Sequence, residues 1–296
     1  MDSLSTLVLS GNAQNANSGK FSCKLTNMFF AALKSTIYFK SPPKLFASIF
    51  NLSCLLRRVL VNCVYLPSLR LYRLSSQNSI RFASTKSRAL MYSSGFQVRA
   101  EQLFKSYLLE EIEFPENALI VDCGANMGDF LMSLETHINK HFTYMGYEPS
   151  PMDYVCLELN SRNSRINCSV FMKALWNKSE VINFFLDVDS ASSSLIEPRY
   201  FSNVISVEAV RLDDEISSKI HLLKVEAEGA EPEVLIGASQ ILPSTKYVLV
   251  DVGPERGIQQ METRDTVVEF MQEHNFHILK ENKGHRKVVL FQNNVH

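Results

Sequence analysis

The sequence predicts an α/β fold built on a mostly parallel sheet, and three observations carry that expectation. From residue 118 onwards, short apolar runs alternate with stretches of helical spacing. The first run, "ALIV" (118–121), breaks into the glycine turn "DCGANMG" (122–128), and open α/β sheets bind ligands outside such strand ends. Charge also divides the chain. Residues 1–100 hold 13 Lys and Arg against one acid, Asp2, a balance of +12. Residues 101–296 hold 17 against 30 acids, a balance of −13. Such asymmetry predicts two parts with different surroundings, a basic extension (1–90) and an acidic α/β domain (91–296).

Taken in order, residues 1–25 are rich in Asn, Ser and Gly and show no periodicity, so a disordered start is expected. Residues 26–40 and 45–66 predict two helices separated by the breaker "SPPK". The polar, Ser-rich stretch 73–88 predicts a linker, and 97–112 a helix through Ala100, Leu103, Phe104, Tyr107 and Leu108. Strand and helix then alternate. "ALIV" is followed by a helix from Asp129, and "FTYMGYE" (142–148) by a helix from Met152. "INCSVFMKAL" (166–175) reads as one strand, with extra strands at "VINFFLDV" and "VISVEAVRL". "IHLLKVE" (220–226), a helix over 230–242, "YVLVDV" (247–252), a helix from Thr263 and a terminal hairpin complete the pattern.

Composition excludes several classes. The six cysteines form no CxxC pair or disulfide framework, which favours a reducing, cytoplasmic setting, and no metal-ligand spacing stands out, so no metal is expected. The start lacks a signal-peptide pattern, although its Ser-rich, acid-poor composition also fits an organelle-targeting segment. The most apolar window carries Arg57 and Arg58 near its middle, against a membrane span. The basic part lacks a nucleic-acid module signature. Two explanations of its charge stay open: peripheral contact with an anionic membrane, or packing on the acidic domain within one molecule or a homodimer.

Around the turn, Asp122 ends the strand with acceptor oxygens, Gly124 permits a tight turn and close approach of a ligand, and Gly128 lets a helix pack near the strand. The turn is neither a full dinucleotide fingerprint, because Asn126 takes the middle place, nor a P-loop. A glycine turn without a ligand is the plain alternative. Glu148, at the next strand end, is placed to accept from ribose hydroxyls, or is simply an acid before a Pro-rich turn. The acids of "AEGAEPE" face a substrate, or favour a helix dipole. Asp251, Glu255 and Arg256 follow a buried strand, as a substrate loop or a solvated one.

Four segments in order, "VDCGANMGDF", "GYEPSP", "ALWNKSEVINFF" and "LLKVEAEGAEPEVLIGA", resemble the FkbM-type S-adenosylmethionine-dependent methyltransferase family over about residues 95–292. The resemblance implies a Rossmann-like class I sheet with an antiparallel last strand and S-adenosyl-L-methionine as cofactor. It implies that Asp122, Gly124, Asn126 and Gly128 hold the methionine end, Glu148 the ribose, and Ala174 and Leu175 the adenine. Trp176 either closes over the base or belongs to the core. Glu226 stands where the family has Asp, and with Asp251 it is a candidate general base. Glu228, Glu231, Glu255 and Arg256 are candidate substrate contacts. The implied acceptor is a small molecule or a glycan, through a sugar hydroxyll of a glycan, glycolipid or related natural product. A cofactor-binding module without catalysis and a dinucleotide-dependent oxidoreductase are the rival readings.

Overall fold

The structure is a computed structural model, and it describes residues 40–77, 79–187, 193–284 and 286–295. The sequence expectations for residues 1–39 lie outside the described residues. In chain order the elements are α1 (Pro43–Leu56), β1 (Asn62–Leu66), β2 (Leu71–Ser76), β3 (Ser79–Ala83), α2 (Lys86–Leu90) and α3 (Phe96–Ser106). The α/β part follows with β4 (Ala118–Cys123), α4 (Asp129–His137), β5 (Phe142–Tyr147), α5 (Pro151–Arg162), β6 (Asn167–Phe171), β7 (Ala174–Leu175), β8 (Glu180–Leu186) and β9 (Asn203–Val210). It closes with α6 (Leu212–Glu215), β10 (Ile220–Val225), α7 (Glu231–Ile236), β11 (Thr245–Asp251), β12 (Pro254–Arg256), β13 (Met261–Glu262), α8 (Arg264–Glu273), β14 (Phe276–Lys283) and β15 (Lys287–Asn293).

The expected α/β sheet is present, with seven strands in the order β14-β15-β11-β10-β4-β5-β6. Only β15 runs against the others. Period-two alternation divides its side chains between two apolar layers. Ile120, Leu222 and Leu249 face the layer that holds Leu103, Phe130 and Leu134, whereas Val121, Leu223 and Val248 face the layer of Val234 and Leu235. β4 and β10 meet at the centre, where the chain order reverses and the strand ends open a crevice. A second sheet, β7-β9-β8, stands beside that crevice.

Several local expectations differ from the structure. The helix expected over 45–66 stops at Leu56; Arg58 takes φ +57°, and "NCVYL" forms an edge strand with alternating burial. The expected linker 73–88 is instead β2, β3 and α2, because Leu71, Leu74 and Ala83 have an apolar partner in α1. The helix expected over 97–112 ends at Ser106, with Leu108 at φ +56°. "INCSVFMKAL" is divided between two sheets, β6 and β7. The helix expected over 230–242 ends at Ile236.

The basic part packs on the acidic part. Phe46, Phe50 and Cys54 of α1 share one apolar cluster with Met127, Met132 and Cys156. The Asn160 amide bonds Phe82 of β3 and the Met127 carbonyl of the glycine turn. Arg81, Arg88 and Arg99 pair with Glu135, Asp153 and Asp129 at 3.5, 3.7 and 2.8 Å.

Candidate active site

The ends of β4, β5, β10 and β11, together with β7 and the hairpin after β14, surround a cavity of about 430 Å³. Gly124, Asn126, Glu148, Ala174 and Leu175 line it, as do Glu226, Glu228, Asp251 and Glu255. Nine residues singled out in five separate stretches of the sequence therefore meet in one place. Four others do not line it: Asp122, Gly128, Glu231 and Arg256.

Each departure has a physical reason. Asp122 is fully buried, and its carboxylate accepts from Lys224 Nζ at 2.8 Å and Tyr144 Oη at 2.5 Å. It anchors the floor from behind the cavity. Gly124, on the wall, is required by backbone in any case: a Cβ there would lie 1.9 Å from the Glu226 carbonyl oxygen, and its φ is +73°. Gly128 (φ +86°) makes room for Leu157 of α5, not for a strand. Glu231 is 1% exposed and accepts from the amides of Ala227 and Gly229, both at 3.0 Å, and from Thr263 Oγ1 at 3.1 Å. Its role is to fold the loop after β10. Arg256 forms a fork with Glu233 at 2.8 and 2.6 Å and also bonds the Gly229 carbonyl, so its donors serve the same loop. Trp176 packs with Phe184 and Ala230 beneath the second sheet and is not on the wall.

The floor is an ionic network. Glu226 accepts from Tyr107 Oη at 2.5 Å, pairs with Lys224 Nζ at 3.0 Å and is bonded by Arg286. Arg286 also reaches Asp251 Oδ2 at 2.9 Å and lies 4.4 Å from the Tyr107 ring centroid. Burial pushes the Glu226 carboxyl up, but Lys224 and Arg286 outweigh it and hold the group well below the usual carboxylate range. Asp251 is pushed up to about 6 by burial and by the neighbouring Glu226. Glu255 is raised to about 8 and Glu228 well above its ordinary value, both chiefly by burial and then by nearby carboxylates. Two adjacent acids of this site thus differ in basicity by environment alone.

Along the β5 side, Glu148 accepts from the amides of Asn126 and Ser150, each at 2.8 Å. Each carboxylate oxygen keeps a further lone pair for a ligand. Burial raises its pKa to about 8 against those two amides. Next to it, the buried Tyr147 hydroxyl has no partner among the described residues, and the side chain lines the cavity.

Sequence reasoning missed several wall residues, among them Tyr107, Lys224, Arg286, Arg88 and Arg99. The signal that could have found Lys224 is its place as the one Lys or Arg inside the apolar run of β10. Arg88 and Arg99 come from α2 and α3, in the basic part and just beyond it, and Arg286 from the last hairpin, so no local spacing relates them to the glycine turn. Among the described residues, no group of three or more His, Cys, Asp or Glu could hold a metal ion.

No curated protein matches the sequence. Among solved structures, the chain is similar to a methyltransferase FkbM from Methylobacillus flagellatus KT, at 15% identity and a TM-score of 0.44, over 67% of this chain and 57% of that one. The chain therefore spans little more than half the length of that relative. It is also similar to Aeropyrum pernix fibrillarin with bound S-adenosyl-L-methionine (12% identity, TM-score 0.42, 75% and 93% covered). A third is the N-terminal domain of EvdMO1 with bound SAH (10% identity, TM-score 0.37, 67% and 81% covered). The profile of the Methyltransferase FkbM domain matches residues 122–278, from the acid before the glycine turn to the middle of β14 and more than half of the chain, and the protein belongs to this methyltransferase family.

Proposed function

We propose that the chain methylates a hydroxyl of a sugar, in a glycan, a glycolipid or a related natural product, with S-adenosyl-L-methionine as donor. The observation that carries this reading is one cavity with a ribose-type acceptor, Glu148, on one side and the Glu226–Asp251 floor on the other. S-adenosylmethionine supplies a methyl group already activated on a positively charged sulfur. The chain's own residues fit that cofactor. Glu148 offers an acceptor to the ribose side, Ala174 and Leu175 an apolar wall for the base, and the carboxylates a favourable field for its cationic centre. The catalytic unit is residues 91–296, to which the extension 1–90 adds Arg88 on the wall.

Within this reading the two candidate bases separate. Glu226 is held as a weakly basic carboxylate by Lys224, Tyr107 and Arg286, and its role is to position Arg286 and the floor. Asp251, raised to about 6, is largely ionised at neutral pH and more basic, and it takes the hydroxyl proton. Glu228 and Glu255 have no hydrogen-bond partner for their carboxylates among the described residues and accept from the other sugar hydroxyls. Positioning is worth on the order of 7–11 kcal/mol of barrier, more than the ~10²–10⁴-fold of one base, so acceptor contacts dominate the rate.

Titration calorimetry with S-adenosylhomocysteine tests the cofactor assignment. Glu148→Ala removes the ribose acceptor, a hydrogen bond worth about 0.5–1.5 kcal/mol for a carboxyl that burial keeps largely neutral, so affinity is expected to fall roughly three- to tenfold. Unchanged affinity in that variant overturns the ribose assignment. Labelled methyl transfer onto a panel of sugars and glycolipids then tests the acceptor. Tight binding with no transfer to any of them supports a module that binds the cofactor without catalysis.

A further inference from the structure

Helix α1 has two apolar faces. Phe46, Ala47, Phe50 and Cys54 point inward and are 6% exposed or less. On the opposite side, at helical spacing, Leu45, Leu52, Leu55 and Leu56 are 50%, 56%, 73% and 67% exposed, and Leu60, four residues after the helix, is 71% exposed. Contiguous exposed leucines of this kind mark an interaction surface rather than ordinary surface scatter. Lys44 stands exposed at one end of the ridge, and Arg57 and Arg58 at the other. None of the three is ion-paired among the described residues, in contrast to Arg81, Arg88 and Arg99; Arg57 donates to the carbonyls of Ser53 at 3.1 Å and Ser93 at 2.7 Å, which leaves Lys44 and Arg58 as the cations at the two ends.

We propose that this face docks on an anionic lipid surface, with the leucine ridge at the headgroup boundary and Lys44 and Arg58 on lipid phosphates. Charge selects this occupant over the two others within reach. Residues 3–100 contain no acid at all, so neither residues 1–39, which hold three Lys and one Asp, nor the same face of a second copy neutralises the cations. An apolar ridge flanked by unneutralised cations matches the interfacial helices that lie in the plane of a membrane. No helix among the described residues is long and apolar enough to cross one, so the contact is peripheral. The inference stands independently of the methyl acceptor, because the ridge lies outside the cavity lining.

Sedimentation of the full-length protein with phosphatidylcholine vesicles, with and without phosphatidylserine, tests it at low and physiological salt. Pelleting is expected with the anionic vesicles, weaker at the higher salt, and not with the neutral ones. Leu52→Ser/Leu55→Ser/Leu56→Ser is expected to abolish it with an unchanged melting temperature, and Lys44→Gln and Arg58→Gln to weaken it about fivefold each. A full-length protein that stays in the supernatant with anionic vesicles at both salts overturns the proposal. So does equal pelleting with neutral vesicles, or a solution dimer that the triple Ser variant dissociates. Binding that appears only after deletion of residues 1–39 identifies that segment as the occupant and overturns it as well.

Discussion

Glu226 and Asp251 end neighbouring strands and share Arg286, yet their environments push them apart. Glu226 gathers Lys224, Arg286 and the Tyr107 hydroxyl, and each of these favours its charged form. Asp251 has one guanidinium contact and the Gly253 amide at 3.2 Å, and burial dominates its titration. Asp251→Asn is therefore expected to lower kcat by about 10²–10⁴-fold while affinity for S-adenosylhomocysteine stays close to that of the unaltered protein. Glu226→Gln is expected to cost less than tenfold in kcat but to lower the melting temperature, since it leaves Lys224 and Arg286 short of a counter-charge. Paired measurements of turnover and melting temperature decide between them. A Glu226→Gln protein that melts normally but turns over more slowly than Asp251→Asn returns the base to the β10 end. Sequence alone made these two acids equal candidates, because Tyr107 and Arg286 come from just after α3 and from the last hairpin, and nothing in the run of β10 shows that Lys224 turns its ammonium to Glu226.

At the level of elements, the turn between β4 and α4 shows what the sequence discloses and what it hides. Its existence was legible from Asp122, Gly124 and Gly128, as was the alternation of strands and helices on either side. What Gly124 is for was not legible. The glycine admits the end of β10, a strand 100 residues later, whose Glu226 carbonyl occupies the place of a side chain. Long-range backbone approach leaves no local pattern, and the same is true of the docking of β1–β3. There the polar stretch 73–88 reads as linker until α1 supplies the apolar partner for Leu71 and Leu74. Gly124→Ala therefore combines a positive φ with a clash against backbone that cannot step aside. A loss of roughly 2–4 kcal/mol is expected, more than the cost of an ordinary surface Gly→Ala change. Chemical denaturation measures it, and a loss below about 1 kcal/mol shows that the β10 end can shift away.

Across the whole molecule, the acidic domain concentrates raised carboxyl groups around its cavity. Glu231 is lifted to about 7, Glu255 to about 8, and Glu228 well above its ordinary value, all chiefly by burial. A carboxyl raised in the folded state binds its proton more tightly there than in the unfolded chain. Between the ordinary carboxyl range, near 4.3, and about pH 8, folding then takes up protons, and stability falls as pH rises. Glu226 works in the opposite sense: depressed in the folded state, it stabilises above the ordinary range and loses that contribution as pH falls below it. The unliganded protein is accordingly expected to be most stable near pH 5–6 and to lose melting temperature steadily towards pH 8, by the linkage above. Glu228→Gln/Glu255→Gln keeps two of the groups in a neutral form, so it should flatten that decline and melt higher than the unaltered protein at pH 8. A cationic cofactor placed among the same carboxylates favours their charged forms, and S-adenosylmethionine should therefore raise the melting temperature more at pH 8 than at pH 6. Thermal melts over this range measure both effects. An unchanged slope in the double variant shows that Glu228 and Glu255 titrate as ordinary surface acids and that the cavity is wetter than its walls imply.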